Sequence, residues 1–399
     1  MSNLQCKRSG IEHIFRNDEG IEALCCKMRS NALIGANELT EIKNQLSNGM
    51  RPEICAVCWN NEDRNLESWR QLGNKIYEDS YLYKKIEIIF DNTCDSKCIY
   101  CSATYSSQWD QEIKNTKFEI PKFACKNKVI NNNDNTQYII KYINQVGKQV
   151  PAGKTTEIVL LGGEPLLTTI NKKNMLEACV NSFYKNNNKD NFLVVVLQTN
   201  CNTPELVLNK IIKNIKEYQK IYPNLFVVVS ASAESVGENY EYVRYGSSYA
   251  RFVKNLETWI QEGFWVCSNM SINAVSLIDT KKYFELFAEL GKKHNIPARL
   301  SVNLVYNPKE LSIGVLDKKF EYYLNDAISY VQNNKSVFED YENIINNLTS
   351  FKSFIGTEKT YIPDLIKTVE YFRLQRGVDL KIVNKPLYNY LQKTDFQIK

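Results

Sequence analysis

The chain has 399 residues, 43% hydrophobic and 24% charged, with a net charge of +5. These values fit a globular chain of one large domain or two. They exclude a membrane span, since no apolar run reaches the ~18 residues that one needs. The start, MSNLQCKRSGIEHIF, has no apolar core followed by a small-residue cleavage site, so no export signal is expected. Lys and Arg are interspersed with Asp and Glu, without the basic stripe of a dedicated nucleic-acid binder. Twelve cysteines without an export signal point to metal or redox chemistry in a reducing, cytoplasmic compartment rather than to disulfides. The two histidines, His13 and His294, leave imidazole chemistry poorly supplied.

In chain order, the first signal is a set of cysteines. Cys6, Gly20, the pair Cys25–Cys26, Gly49, Pro52, Cys55 and Cys58 fall within the first sixty positions. Cys55-x2-Cys58 has metal-knuckle spacing. With Cys6 and one of Cys25 or Cys26 it completes four thiolates, enough to saturate either an iron–sulfur cluster or a zinc ion, and spacing leaves the two open. Next comes an apolar run, LYKKIEIIF (82–90), read as a strand. It leads directly into FDNTCDSKCIYCSATY, where Cys94, Cys98 and Cys101 have Cys-x3-Cys-x2-Cys spacing. A [4Fe–4S] cube takes four thiolates. Three from one loop leave an iron open for a small molecule.

Beyond this loop the sequence alternates strands with amphipathic helices. The strands are 157–163, 192–200, 226–233, 265–274 and 298–306. The helices are Lys172 to Tyr184, Pro204 to Tyr218, Tyr249 to Glu262 and Thr280 to His294. Several strands are near-continuous apolar runs, as expected when both faces are covered. Six β-α units in succession predict a parallel sheet with right-handed crossovers, a partial barrel with its chemistry at the strand C-termini. The Asn-rich stretches 127–137 and 185–191 are expected to be solvated loops. Cys125, Cys179, Cys201 and Cys267 lack ligand spacing and are expected to be small buried hydrophobes. The last sixty or so residues look mainly helical.

Polar groups follow the strands in order. The second strand ends in LLGGEPLL, where Gly162 and Gly163 permit close backbone approach and Glu164 offers a carboxylate. The third ends in Gln198, Thr199 and Asn200. The fourth leads through Ser232 to Arg244, which either pairs with a carboxylate in a bidentate fork or is a helix-surface charge. Tyr100 lies between two of the loop cysteines.

CDSKCIYC, GGEP, QTN and the segment from Ser232 to Arg244, in this order on a β-α series, resemble the radical S-adenosylmethionine superfamily over roughly residues 80–306. The resemblance implies that Cys94, Cys98 and Cys101 hold a [4Fe–4S] cluster whose open iron chelates S-adenosylmethionine. It implies that Glu164 holds the methionine ammonium and that Ser232 or Arg244 meets the ribose or the carboxylate. Gly162, Gly163, Gln198 and Asn200 would line the cofactor, and Tyr100 would shield the adenine side. Reductive cleavage of the sulfonium then gives a 5′-deoxyadenosyl radical that takes hydrogen from a substrate. One departure is Glu234–Ser235, where many relatives carry Asp-Gly.

GIEALCC and GMRPEICAVCWNNEDRNLESWRQLGN, with Glu62, Ser68 and Arg70, resemble the N-terminal twitch domain of a SPASM-related subgroup, many members of which are phage-encoded. That resemblance implies a second, auxiliary [4Fe–4S] cluster held by Cys6, Cys25 or Cys26, Cys55 and Cys58, with zinc as the alternative. Relatives usually carry Pro and an aromatic after the first Cys, where this chain has Lys7–Arg8. The segment 357–380 is similar to the family's closing helix. The expected fold is therefore α/β: a partial (βα)6 TIM-like barrel (79–310), an N-terminal twitch/SPASM-like auxiliary-cluster domain (1–78) and a helical C-terminal extension (311–399).

The expected activity is oxidation or cross-linking of a peptide or protein side chain, fed by an external flavodoxin- or ferredoxin-like electron donor, with no membrane partner. Two alternatives stand beside it. Nucleic-acid modification, such as methylthiolation of RNA, is disfavoured because the expected C-terminus is helical rather than the β-barrel of those relatives. A non-catalytic metal-stabilised binding protein is disfavoured by the complete cysteine and GGEP motifs. The sequence names no catalytic side chain.

Overall fold

The computed structural model describes residues 6–16, 21–23, 25, 36–63, 67–77, 82–125, 133–170, 173–186 and 189–394. It divides into two compact units. One comprises 1–92, 128–197 and 211–227, and the other 93–127, 198–210 and 228–399.

The first unit is built on five strands: β1 (Glu12–Arg16), β2 (Ile21–Ala23), β3 (Leu82–Ile89), β4 (Thr155–Leu161) and β5 (Phe192–Thr199), in the order β5-β4-β3-β1-β2. β3, β4 and β5 pair in parallel, with Ile86 opposite Ile158 and Ile158 opposite Val195. All three of these side chains are fully buried. β5 alternates strictly, with Leu193, Val195, Leu197 and Thr199 inward, the period-two pattern that pins register. β1, which the sequence did not announce, adds to β3 in parallel with His13 opposite Ile86, and β2 pairs antiparallel to β1. The N-terminal segment therefore contributes strands as well as cysteines.

The second unit holds β6 (Leu225–Ser232), which begins in the first unit, β7 (Trp265–Ile272) and β8 (Leu300–Leu304), in the order β8-β7-β6 with parallel pairing. Helices Tyr249–Gln261 and Thr280–His294 follow β6 and β7. The latter ends, as its period predicts, where Asn295 turns left-handed at φ 53°. Six parallel strands, each followed by helix, make the partial (βα)6 barrel that the sequence predicts. Helices Glu321–Asn333, Tyr341–Phe351, Ile362–Arg376 and Lys385–Gln392 form the C-terminal helical region.

Three local expectations need correction. Of the loop expected over 127–137, residues 127–132 lie outside the described residues and 133–137 open a helix from Asn133 to Gln149, because Ile139, Ile143 and Val146 are buried at helical spacing and draw the preceding turn into register. In the stretch 185–191, residues 185, 186, 189 and 190 are exposed as expected and 187–188 lie outside the described residues, but Asn191 is buried, donating to the Val150 carbonyl at 3.4 Å and accepting from the Tyr184 hydroxyl at 3.1 Å. It anchors the start of β5 rather than facing water. Cys179 and Cys201 are buried, but Cys125 is exposed and Cys267 half-buried. Cys125 ends a short turn in which Ala124 takes the buried position.

Candidate active site and metal centre

The three-cysteine loop lies in the second unit and is held mainly by its main chain. Lys97 N–H donates to the Tyr245 carbonyl and Ile99 N–H to the Val243 carbonyl, both at 2.9 Å. Cys101 N–H closes a turn on the Cys98 carbonyl at 3.0 Å. Ser107 Oγ meets both the N–H and the carbonyl of Cys94 at 3.1 Å, and Trp109 Nε1 donates to the Cys98 carbonyl at 2.9 Å. Ser106 Oγ donates to the Ser96 carbonyl at 2.6 Å, and Ser96 Oγ meets Ser247 Oγ at 2.7 Å. Gly246, at φ +98°, completes the frame. A Cβ there would stand 2.9 Å from the Asp95 carbonyl oxygen, so the close approach requires glycine.

Arg244 lies behind this loop, only 6% exposed, which rules out the surface-charge alternative. Its fork is filled by the chain's own Glu234: Nε donates to Oε2 at 2.8 Å and Nη2 to Oε1 at 2.6 Å. Nη2 also donates to the Tyr100 hydroxyl at 2.9 Å, and that hydroxyl donates to Glu234 Oε1 at 2.7 Å. Burial opposes the charge on Arg244, but Glu234 and Tyr100 outweigh it and keep the guanidinium ionised. The sequence singled out Tyr100 and Arg244 separately. The structure joins them through Glu234, which had stood out only as a departure at the Asp-Gly position.

Burial raises the Cys98 thiol, with Arg244 working against it, and pushes Cys101 up to about 12, with Cys98 adding to the rise. Thiols in this state release protons when a metal binds. Nearby, Gln198 Nε2 donates to Ser232 Oγ at 2.8 Å and accepts at Oε1 from Ser230 Oγ at 3.0 Å. Asn200 Nδ2 donates to Asp95 Oδ1 at 2.6 Å. Gln198, Asn200 and Ser232 thus form a polar set at the ends of β5 and β6. Ser235 and Asn239 both bond the buried carboxylate of Asp279.

A second charged cluster, which sequence reasoning missed, backs the loop. Glu112 is buried between Arg376 (3.1 Å) and Lys97 (2.6 Å) and accepts from Tyr371 at 3.1 Å. The Arg376 guanidinium lies 4.5 Å from the Trp109 ring centroid. No local pattern flags this pair, because Glu112 and Arg376 are 264 positions apart.

In the first unit, the turn after β4 carries GGEP. Gly162 has φ +123°, and a Cβ there would approach the Asp91 carbonyl oxygen at 3.0 Å. Gly163 N–H points to that carbonyl at 3.4 Å. Glu164 is fully buried and accepts from Leu166 N–H at 3.1 Å.

The N-terminal cysteines also lie in the first unit. Cys6, Cys25, Cys55 and Cys58 line one cavity with Arg8, Leu46, Trp59 and Arg70. Cys25 is thereby placed with the set; Cys26 lies outside the described residues. Burial pushes Cys55 up to about 12, with Cys6 and Cys58 adding to the rise, and burial likewise raises Cys6. The wall is fixed by side chains. Arg70 forks onto Glu62 (Nε to Oε1 3.0 Å, Nη2 to Oε2 2.7 Å), and Ser68 Oγ donates to Glu62 Oε1 at 2.5 Å. Ser68 also forms a capping box with Gln71 on helix Trp69–Ile76. Arg8, at the departure from the usual Pro-aromatic, pairs with Glu12, donates to the Trp69 carbonyl at 3.0 Å and stacks 4.1 Å from the Trp69 ring. A cation–π contact thus stands where relatives place an aromatic.

Among the described residues no group of three or more His, Cys, Asp or Glu side chains is gathered closely enough to hold a metal ion. The fit to iron and sulfide lies in the donors. Each site offers soft thiols, in partly or wholly apolar surroundings, with an arginine nearby.

The chain belongs to the radical SAM superfamily, whose family model matches residues 88–298. That membership implies an iron–sulfur and S-adenosylmethionine site. Among solved structures it is similar to native anSMEcpe with bound AdoMet, at 15% identity and TM-score 0.41, covering 65% of this chain and 61% of that one. It is also similar to Streptococcus suis SuiB bound to precursor peptide SuiA, at 14% identity and TM-score 0.37, covering 77% of this chain and 54% of that one. The chain therefore spans between half and two thirds of the length of these structures. No curated protein sequence matches significantly.

Proposed function

We propose that this chain is a radical S-adenosylmethionine enzyme that takes hydrogen from a peptide or protein side chain and so oxidises or cross-links it. The observation that carries the reading is the framed loop of Cys94, Cys98 and Cys101, with three thiols and a charged Arg244 behind them. In this reading these cysteines hold a [4Fe–4S] cluster. Bound there with S-adenosylmethionine, it supplies a 5′-deoxyadenosyl radical. Gly162, Gly163, Glu164, Gln198, Asn200 and Ser232 contact S-adenosylmethionine. Arg244 and Tyr100 act through Glu234: the buried pair keeps water out behind the cysteines, with Arg244 favouring the Cys98 thiolate and Glu234 opposing it.

Residues 1–78 form the auxiliary domain. There Cys6, Cys25, Cys55 and Cys58 would hold a second [4Fe–4S] cluster, which would supply an acceptor for the electron left after hydrogen abstraction; zinc is the alternative. The mild net charge fits a peptide better than a nucleic acid. A flavodoxin- or ferredoxin-like protein supplies electrons, and the enzyme works in the cytoplasm. No helix among the described residues is long and apolar enough to cross a membrane.

Anaerobic reconstitution with iron and sulfide, followed by counting, tests the metal assignment. About eight irons per chain fit two cubes. About four irons with one zinc would reassign the N-terminal site. If the reconstituted, dithionite-reduced protein makes no 5′-deoxyadenosine from S-adenosylmethionine, the enzymatic reading fails.

A further inference from the structure

A groove of about 490 Å³ runs through the second unit, between residues 118–123, residues 307–310 and the helix Ile362–Arg376. Three properties mark it as a place for an extended chain.

First, its edge is unpaired main chain. Pro121 has φ −54° and ψ 130°, and Ile120 before it is restricted to extended conformations. Among the described residues, neither Glu119 nor Ile120 engages its main-chain N–H or C=O in a hydrogen bond. Main-chain groups left free in an extended segment can hydrogen-bond an added chain.

Second, the groove has an apolar side. Phe118 and Leu374 are 41% and 45% exposed. Beside them Tyr371 stacks on Trp109, the ring that holds the Cys98 carbonyl, so this wall is continuous with the frame of the cysteine loop.

Third, Glu310 and Asp364 face the groove, and neither forms an ion pair among the described residues. Burial raises the Glu310 pKa, Asp364 adds to the rise, and Lys122 opposes it. A cationic side chain would relieve that repulsion. Glu370 is taken up by Arg373. Lys122 and Lys367 also line the groove, so the attraction is local rather than general.

We propose that this groove docks an extended peptide bearing alternate cationic and apolar side chains. Its main chain pairs with the groove-facing main-chain groups of the Glu119–Ile120 segment, and its cationic side chains meet Glu310 and Asp364. The inference rests on the peptide-substrate reading and adds the class of segment recognised.

The test is fluorescence anisotropy with the full-length, cluster-loaded protein and a labelled decapeptide of alternating Lys and Leu. Two control probes are the alternating Glu and Leu peptide and the Lys–Leu peptide N-methylated at every second residue. The Lys–Leu probe is expected to bind, and both controls to bind at least about ten-fold more weakly. Glu310→Lys with Asp364→Lys is expected to weaken the Lys–Leu probe about ten-fold. Equal binding of all three probes overturns the proposal without any variant having to fold. So does displacement of the probe by self-association of the chain, which would assign the groove to a second copy. Binding without modification of any peptide would leave the groove standing and break the peptide-substrate reading. Modification of a peptide that ignores the two carboxylates would do the reverse.

Discussion

The N-terminal cavity and the Cys94 loop both present thiols, but they are assembled by different means. The cavity draws its cysteines from three separate stretches, around Cys6, Cys25 and Cys55–Cys58, and among the described residues its wall is tied largely through side chains: Arg70 to Glu62, Ser68 to Glu62, Arg8 to Glu12. The loop draws its cysteines from eight consecutive residues and is held by main-chain bonds to residues 243–245 and by serine and tryptophan side chains on carbonyls. A site on a loop tied by its backbone is positioned by the fold itself. One framed by side chains converging from distant stretches depends on the metal to close it. In the proposed function the loop is the reactive site with an open position and the cavity the saturated auxiliary one.

The largest expected contrast is functional. Cys94→Ala should bring 5′-deoxyadenosine formation to background. Cys55→Ala should remove about half the iron while leaving cleavage of S-adenosylmethionine intact. Equal loss of cleavage in both variants would erase the distinction. Next in size is stability. Arg244→Ala leaves Glu234 buried without its ion partner, and a loss of about 3–5 kcal/mol is expected in urea unfolding. Arg70→Ala should cost less, because the Glu62 side chain is less deeply buried (9% exposed against 1% for Glu234).

Backbone frame and side-chain frame also separate at single small residues. Gly246→Ala places a Cβ against the Asp95 carbonyl at a left-handed φ, and should cost about 1–3 kcal/mol. Ser68→Ala removes a helix cap and should cost about 1 kcal/mol. If Ser68→Ala proves the more damaging of the two, the backbone frame is not the stiffer one.

The smallest effect concerns acid. Burial alone would raise the Glu112 carboxyl, but Arg376 and Lys97 outweigh it and hold its pKa below the ordinary range. Its stabilising contribution is complete above the unfolded carboxylate value and disappears as pH falls through the lower folded value. Glu62 behaves likewise, with Arg70 and Ser68 outweighing burial. Glu112→Gln should flatten the acid limb of stability against pH. An unchanged limb would show that the pair contributes nothing there.

Much of the barrel was legible because parallel strands buried on both faces write near-continuous apolar runs, as Ile158–Leu160 and Val194–Val196 do. The cysteine loop was legible because its ligands are consecutive. β1 was not: EHIFR is short and mixes polar with apolar residues, and it becomes a strand only by pairing with β3. The link from Tyr100 through Glu234 to Arg244 spans more than 130 positions, beyond any local pattern. Arg8 drew notice only as a departure, and its role emerged from its stacking on Trp69.

The bonds between the Cys94 loop and residues 243–247 join parts of the chain that lie about 150 positions apart. Contacts of such separation form late, once the entropy of closing the intervening segment has been overcome. During synthesis the three cysteines emerge well before the residues that shape them. The frame of the loop therefore closes only after residues 243–247 have been made.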